Sequence, residues 1–244
     1  MNRNKRILIT GGAKGIGAET ARQFAQSGAE VIYIVDVDDA SGEMTAGELT
    51  SAGCDCRYRR LDVAYEAGVV ELFREVEADG GLDVLFNCAG ITSVKNLFET
   101  DLALWNKIMA INVSGVFLFS KEAMRIMGAQ NYGRIINVSS VSAHVGGIRT
   151  SPAYAASKAA ILGLTRALAK YGAPFNVTVN AVAPGIVDTD MTRDPDFVYS
   201  NKEVPLGAAA VPADIARAVL FLAGEGGSHI TGQCLNVNGG MYYN

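Results

Sequence analysis

The stretch Arg6–Gly17, with the sequence RILITGGAKGIG, decides the fold of this chain. A short apolar strand runs into spaced glycines, and a helical pattern begins at Gly15. Glycines permit a tight turn and a close approach of the backbone to a pyrophosphate, and the helix N-terminus that follows offers unpaired N–H groups. The next apolar run, VIYIVD, ends at Asp36, about 20 residues after Gly17, where a carboxylate can bind ribose hydroxyls. The stretch therefore predicts a site for the adenine half of a dinucleotide.

Outside this stretch, short apolar runs alternate with longer amphipathic segments. Strands are predicted at Arg6–Thr10, Val31–Asp36, Arg57–Asp62, Val84–Asn87, Arg134–Ser139, Asn176–Val182 and Cys234–Val237. Helices are predicted at Gly15–Ser27, Asp39–Ala52, Ala64–Ala78, Leu102–Met127, Pro152–Tyr171 and Pro212–Leu222. This alternation predicts an α/β fold with one domain over residues 1–244. The domain is expected to be a single Rossmann-type doubly wound parallel sheet of about seven strands, in the order 3-2-1-4-5-6-7, with helices on both faces.

Residues 189–211 form the one long stretch without a regular pattern. A loop of that length inside a compact domain is usually a functional lid or an insertion. We expect it to act as a substrate loop, with residues 91–97 and 142–151 completing the walls of a pocket above the strand ends. Arg149 and Arg193 in these segments could bind an anionic substrate, although arginines in loops are more often solvated.

Charge and cysteine content argue against several classes of protein. The formal charge is −4 at pH 7, and no basic run is longer than that in Arg57–Arg60, so neither nucleic acid nor a membrane surface is an expected partner. No apolar segment approaches the roughly 18 residues that a membrane span needs. Cys54 and Cys56 fit neither a zinc nor a thioredoxin-like spacing, and neither histidine has a second ligand at a recognisable spacing, so no metal site is expected. A reduced, cytoplasmic location follows as the default.

Tyr154 and Lys158 stand four residues apart in one predicted helix, so both side chains lie on one face. A free phenol titrates near 10, and a neighbouring ammonium group favours the phenolate, which would bring the pKa of Tyr154 toward the working range. Ser140 follows the fifth predicted strand, where its hydroxyl could orient a substrate oxygen. The residues alone leave Ser139 and Ser142 as alternatives to Ser140. The pattern predicts proton transfer to or from a substrate oxygen.

The spacing of these residues resembles the short-chain dehydrogenase/reductase family over nearly the whole chain. The matching elements are, in chain order, Thr10-Gly11-x-x-x-Gly15-x-Gly17, Asp62-Val63, Asn87-Cys88-Ala89-Gly90, Asn112, Ser139-Ser140, Tyr154-x-x-x-Lys158, Pro184-Gly185 and Asn238-Gly239-Gly240. The family usually has Asn-Asn-Ala-Gly where this chain has Cys88. The resemblance implies a catalytic tetrad of Ser140, Tyr154, Lys158 and Asn112, in which Lys158 also holds the nicotinamide ribose and Asn112 links Lys158 to solvent through water.

The resemblance and the glycine loop together imply a nicotinamide cofactor. The residues expected to contact it are Gly11, Lys14, Gly15, Ile16, Gly17, Asp36, Asp62, Val63, Asn87, Ala89, Gly90, Tyr154, Lys158, Pro184, Gly185, Val187 and Thr189. Asp36 would accept hydrogen bonds from both ribose hydroxyls and repel a 2′-phosphate, which favours NAD over NADP. Lys14 argues the other way, because a basic group in this loop could meet that phosphate.

The expected function is hydride transfer between NAD(H) and a small secondary alcohol or ketone, such as a polyol or sugar. The alternative is reduction of a 3-oxoacyl group on acyl carrier protein or CoA. Family members that act on the acidic carrier bear basic residues where this chain has Asn131 and Phe175. A third, less favoured function is dinucleotide sensing without catalysis. The resemblance also implies a homo-oligomer, a tetramer that pairs the helices Leu102–Met127 and Pro152–Tyr171.

Overall fold

Seven parallel strands form the centre of the protein in a computed structural model, which describes residues 5–147, 149–193 and 199–243. Their order in the sheet is 3-2-1-4-5-6-7, which confirms the predicted topology. The strands are β1 Arg6–Thr10, β2 Val31–Asp36, β3 Asp55–Arg60, β4 Val84–Asn87, β5 Gly133–Val138, β6 Val177–Pro184 and β7 Cys234–Val237.

Helices cover both faces of this sheet. They are α1 Gly15–Gln26, α2 Asp39–Ser51, α3 Glu66–Ala78, α4 Leu102–Met109, α5 Val116–Gln130, α6 Ser142–Val145, α7 Pro152–Gly172, α8 Asp190–Arg193 and α9 Pro212–Ala223. Because successive side chains of a strand point to opposite faces, Leu8 of β1 packs with α3 and α5, whereas Ile7 and Ile9 pack with α1, α2 and α9. Both core clusters are apolar, as the uniformly apolar strands predict.

Several predicted elements have bounds in the structure that differ by one or two residues, and in two cases the whole element changes. The third strand begins at Asp55 rather than Arg57 and ends at Arg60 rather than Asp62, because it pairs residue for residue with the six residues of β2. The predicted helix Leu102–Met127 is divided into α4 and α5 by a π-helical turn at Ala110–Gly115.

The predicted loop 189–211 contains some regular structure. It includes the short helix α8 and a 3₁₀ turn at Asn201–Glu203, and an isolated parallel bridge ties Val187 to Ala210. Residues 194–198 of the loop lie outside the described residues. The bridge draws the two ends of the loop together beside the carboxyl edge of the sheet.

The continuous helical run Leu102–Gln130 corrects one expectation from the sequence. An 18-residue window of this run has a mean hydropathy of 1.5. By length and composition, the run is therefore long and apolar enough to span a membrane. In the structure the run packs on the sheet, and Ile108, Phe119 and Met127 are completely buried. Its apolar character is therefore used, at least on one face, to cover the core of the domain.

Candidate active site

A cleft of about 1070 Å³ opens at the carboxyl ends of the strands. In open parallel sheets this edge is where ligands bind. The predicted site residues that line the cleft are Gly11, Lys14, Gly15, Ile16, Asp36, Asp62, Val63, Ala89, Gly90, Ser140, Tyr154, Lys158, Pro184, Gly185, Val187 and Thr189. Three predicted residues, Gly17, Asn87 and Asn112, do not line it. The fold thus gathers residues from six strand ends around one cleft.

The glycine loop has the backbone that its sequence predicts. Gly11 and Gly15 have φ values of +66° and +54°, which glycine adopts without strain. A Cβ on Gly17 would lie 2.0 Å from the carbonyl oxygen of Gly11, so Gly17 serves the close packing of α1 on β1 rather than lining the cleft. Helix α1 begins after Lys14 with no side-chain cap on its first N–H groups. An uncapped N-terminus facing a glycine cradle fits the pyrophosphate of a dinucleotide.

Asp36 closes the adenosine end of the cleft. Its Oδ2 accepts a hydrogen bond from the N–H of Ala13 at 3.1 Å, and its Oδ1 accepts one from the N–H of Val37 at 2.8 Å. These bonds fix the carboxylate between the glycine loop and the end of β2. The position suits a carboxylate that binds ribose hydroxyls.

Asn87 has a different place from the one expected. Its side chain is buried beneath the cleft, where Nδ2 donates to the Oγ of Ser120 at 3.1 Å and to the Oδ1 of Asn137 at 2.9 Å. Asn137 in turn donates to the Oγ1 of Thr165 at 3.0 Å. The side chain therefore joins β4 to α5, β5 and α7 and does not face the ligand space. The sequence gives no signal for this network, because its members are dispersed along the chain.

Ser140, Tyr154 and Lys158 come together beside the cleft. Ser140 lies just after β5 and lines the cleft together with Tyr154, near enough for its hydroxyl to lower the pKa of the phenol. The Nζ of Lys158 lies 5.7 Å from the ring centroid of Tyr154 and donates to the carbonyl oxygen of Val138 at 2.8 Å. Ser151 caps the N-terminus of α7, where its side chain accepts a hydrogen bond from the N–H of Tyr154 at 3.2 Å. This cap fixes the start of the helix that carries Tyr154 and Lys158.

Burial controls the pKa values of this pair. It raises the pKa of Tyr154 above its ordinary value, and the hydrogen bond from Ser140 opposes this rise. Burial also lowers the pKa of Lys158 to about 8. Among the described residues, no carboxylate lies within ion-pair distance of its ammonium group to oppose this effect. The expectation that Lys158 lowers the pKa of Tyr154 is therefore not met in the protein alone. A protonated Tyr154 at neutral pH is suited to act as an acid.

Asn112 lies within the π-helical turn between α4 and α5, directly behind Gly90. Its side chain exchanges two 2.9 Å hydrogen bonds with the backbone of Ile91. Its Nδ2 also donates to the Oγ of Ser157 at 3.0 Å, and Ser157 donates to the carbonyl oxygen of Tyr154 at 2.7 Å. Asn112 thus connects the loop after β4 to the helix that carries the catalytic pair. Such π turns are frequent at functional sites.

Two serines hold α7 in place: Ser157, and Ser139, which the residues alone left as an alternative to Ser140. Ser139 donates its hydroxyl to the carbonyl oxygen of Lys158 at 2.8 Å, and Ser157 bridges Asn112 to Tyr154. Both serines are almost fully buried. The adjacency of Ser139 to Ser140 and of Ser157 to Lys158 could have suggested such roles, but sequence spacing does not show which way a hydroxyl points.

His144 contacts the C-terminal part of the chain rather than the catalytic group. Its ring stacks on Tyr242 with the centroids 4.3 Å apart, and its Nε2 lies 4.0 Å from the Sγ of Cys234. Within the described ranges, no group of three or more His, Cys, Asp and Glu side chains could hold a metal ion.

Comparisons with known proteins agree with this arrangement. The family model described as enoyl-(acyl carrier protein) reductase matches residues 11–242. The 3-oxoacyl-[acyl-carrier-protein] reductase FabG of Aquifex aeolicus is 37% identical over 240 residues, covering 96% of each chain. The acetoacetyl-CoA reductase of an Acinetobacter species is 35% identical over 249 residues, covering 99% of each chain.

A solved structure shares the whole fold. The crystal structure of a short-chain type dehydrogenase/reductase from Mycobacterium marinum superposes with a TM-score of 0.94 at 31% identity, covering 99% of this chain and 97% of that one. Similarity of this extent shows a common family. The chain is an oxidoreductase that belongs to the short-chain dehydrogenase/reductase family, whose members use a nicotinamide dinucleotide.

Proposed function

We propose that the protein reduces the 3-oxo group of an acyl thioester with NADH. The observation that carries this proposal is the approach of Ser140 and Tyr154 at one point of the cleft, in a chain that is similar over almost its full length to reductases named for 3-oxoacyl and acetoacetyl thioesters. These relatives favour the alternative that the sequence left open over the small alcohol or polyol that it preferred.

The residues of the cleft suit this reaction. In the direction of reduction, Tyr154 donates its proton to the oxygen of the 3-oxo group, which becomes the hydroxyl group of the product. Ser140 donates a hydrogen bond to the same oxygen and stabilises the charge that develops there. The nicotinamide, when bound, supplies the hydride that the carbonyl carbon accepts. The ammonium group of Lys158, at the buried wall of the cleft, stabilises the phenolate that Tyr154 becomes when its proton has left.

The choice of NADH rests on the adenosine end. Asp36 presents a carboxylate held by three backbone N–H groups, and a 2′-phosphate placed against it would meet like charge. We propose that the other predicted cofactor-binding residues that line the cleft also contact the cofactor. Gly17 supports the loop from behind, and Asn87 supports the strand end.

The substrate end of the cleft is apolar, which suits an acyl chain. Its walls include Ile91, Val141, Val145, Met191 and Met241. An ion pair between Arg149 and Glu203, at 2.7 Å, joins the segment after α6 to the substrate loop at the rim. A polar rim around an apolar wall is the usual form of a small-molecule site.

CoA is the favoured carrier of the acyl group. Asn131 and Phe175 are exposed or partly exposed and give no positive charge to an acidic carrier protein at their positions. The same observation keeps a small secondary alcohol or polyol as the second candidate, because such a substrate needs no docking surface. Non-catalytic dinucleotide sensing is the third candidate.

The test follows the absorbance of the reduced nicotinamide. Purified protein is assayed with acetoacetyl-CoA against NADH and NADPH, and with a panel of secondary alcohols, polyols and sugars against NAD and NADP. We expect acetoacetyl-CoA to be turned over with NADH at a kcat/KM of roughly 10⁴ M⁻¹s⁻¹ or more. Turnover of polyols alone would establish the second candidate, and nucleotide binding without any turnover would favour the sensing function.

We also propose that the protein is a homo-oligomer, a tetramer that pairs α4, α5 and α7 with their copies. Phe98 is 96% exposed and Leu102 is 71% exposed, and Phe117 of α5 is exposed as well. Large apolar side chains that are exposed on this part of the surface are suited to an interface with a second copy. Sedimentation velocity is expected to give the mass of a tetramer, and a monomer at micromolar concentration would contradict the proposal.

A cytoplasmic location is proposed on the state of the cysteines. All four are free thiols, including Cys54 and Cys56, which are separated by one residue. Free thiols persist in a reducing compartment. Cell fractionation with an antibody against the protein tests this location.

A further inference from the structure

Both basic residues at the adenosine end of the cleft are bound to carboxylates. Arg22 makes a bidentate pair with Glu48, at 2.8 and 2.9 Å, and Glu19 lies 3.9 Å away. Lys14, the residue before α1, places its Nζ 2.6 Å from the Oδ2 of Asp38. The cation that the sequence offered for a 2′-phosphate is therefore already engaged.

Asp38 is a fixed partner rather than a passing one. It caps the N-terminus of α2, where its Oδ1 accepts from the N–H of Ser41 at 3.1 Å and its Oδ2 accepts from the Ser41 hydroxyl at 3.0 Å. The hydrogen bond with Lys14, and after it the bonds from Ser41, lower the pKa of Asp38 to about 2, and Asp38 raises the pKa of Lys14. Both groups are therefore charged at any pH at which the protein is expected to work.

The pair contributes little to stability, since the Lys14 and Asp38 side chains are 55% and 36% exposed and solvent screens their attraction. Its position gives it another consequence. Lys14 is next to Ala13, whose N–H holds Asp36, so the ammonium group and the two carboxylates surround the same corner of the cleft. Asp36 and Asp190 also act on Lys14 through their charges. A phosphate entering this corner would have to compete with these carboxylates for the ammonium group of Lys14.

We propose that Asp38 is a specificity-determining residue, which holds Lys14 away from the 2′-phosphate of an adenine nucleotide and so excludes 2′-phosphorylated cofactors. The inference rests on the proposed use of a nicotinamide dinucleotide at this cleft. It goes beyond the role of Asp36, because Asp36 repels the phosphate directly, whereas Asp38 removes the group that would attract it. Replacing Asp38 should therefore release a latent phosphate-binding lysine while leaving the ribose carboxylate in place.

Nucleotide fragments test this without any turnover. The affinities of adenosine 5′-monophosphate and adenosine 2′,5′-bisphosphate are measured by isothermal titration calorimetry on the wild-type protein, Asp38→Asn, Lys14→Met and the double variant. Asparagine can still cap α2, so the fold is retained. Asp39→Asn is the matched control, because Asp39 is adjacent, pairs with Arg60 at 3.3 Å and does not line the cleft.

We expect Asp38→Asn to bind the bisphosphate about tenfold more tightly than the wild-type protein does, with the monophosphate affinity changed less than about twofold. Lys14→Met added to Asp38→Asn should abolish the gain, and Asp39→Asn should show none. An unchanged bisphosphate affinity in Asp38→Asn, or a gain that persists in the double variant, overturns the role of Asp38 alone. A wild-type protein that binds neither nucleotide overturns the cofactor proposal itself, and one that prefers the bisphosphate overturns the assignment of NADH.

Discussion

Tyr154→Phe is expected to lower kcat by about 10²–10⁴-fold, because the variant keeps the ring and loses only the proton that the reaction transfers. Nucleotide affinity should change less than about threefold, since the phenol contributes little to the adenosine end of the cleft. Steady-state assays with acetoacetyl-CoA and NADH give kcat, and fluorescence titration of NADH gives the affinity. The two measurements separate a lost acid from a lost binding site.

Tyr242→Phe is the matched control for this variant. Tyr242 stacks on His144 outside the catalytic group, and phenylalanine preserves the stacking. Its activity should stay near that of the wild-type protein. Should Tyr154→Phe keep more than about a tenth of the wild-type kcat, another group would have to supply the proton. Cys88 also lines the cleft, but burial raises the pKa of its thiol to about 12, which makes it a poor acid at neutral pH.

The fold was predictable because the signals that determine it are local. Strand β2 is apolar at its first five positions and ends in Asp36. The glycine loop has the spacing that is typical of a dinucleotide-binding turn. The bounds of β3 were less predictable. It is an edge strand with exposed arginines, so the residues alone give little indication of where pairing with β2 starts. The π turn at Ala110–Gly115 also has no pattern that distinguishes it from the surrounding helix.

The candidate site was predictable where the spacing of residues within one element determines their proximity. It was not predictable where residues from separate elements come into contact. Tyr154 and Lys158 share a helix face, so their proximity follows from spacing. The pairing of Lys14 with Asp38 depends on how β2 turns into α2, and the bond from Asn112 to Ser157 depends on the docking of two helices. Burial likewise reversed the expected pKa of Tyr154, because it depends on packing rather than on neighbours in sequence.

Lys158→Met is expected to have two opposite effects. Activity should fall at least about 100-fold, because the charge that supports proton transfer by Tyr154 is removed. The cofactor-free protein, however, should gain about 1–3 kcal/mol in its free energy of unfolding at pH 7, or roughly 3–9 °C in Tm. Lys158 is 4% exposed, and its ammonium group donates to the carbonyl oxygen of Val138 without a neighbouring carboxylate among the described residues, so methionine of similar length removes a buried charge without leaving a large cavity. A residue that served stability alone would give the opposite sign.

The pH dependence gives this prediction its sharpest form. The pKa of Lys158 is about 8 in the folded protein and 10.5 when it is unperturbed, so the unfolded chain binds more protons between these values and wild-type stability rises across them. Below pH 8 both states are protonated, and the penalty of the buried charge is constant. The stability advantage of Lys158→Met should therefore be largest at pH 7 and should vanish toward pH 10.5. Urea unfolding of both proteins from pH 7 to 10 measures the difference, with the exposed Lys170→Met on the same helix as control. An advantage that is absent at pH 7, or that stays constant with pH, would mean that Lys158 carries no burial penalty, and its lowered pKa would then be wrong.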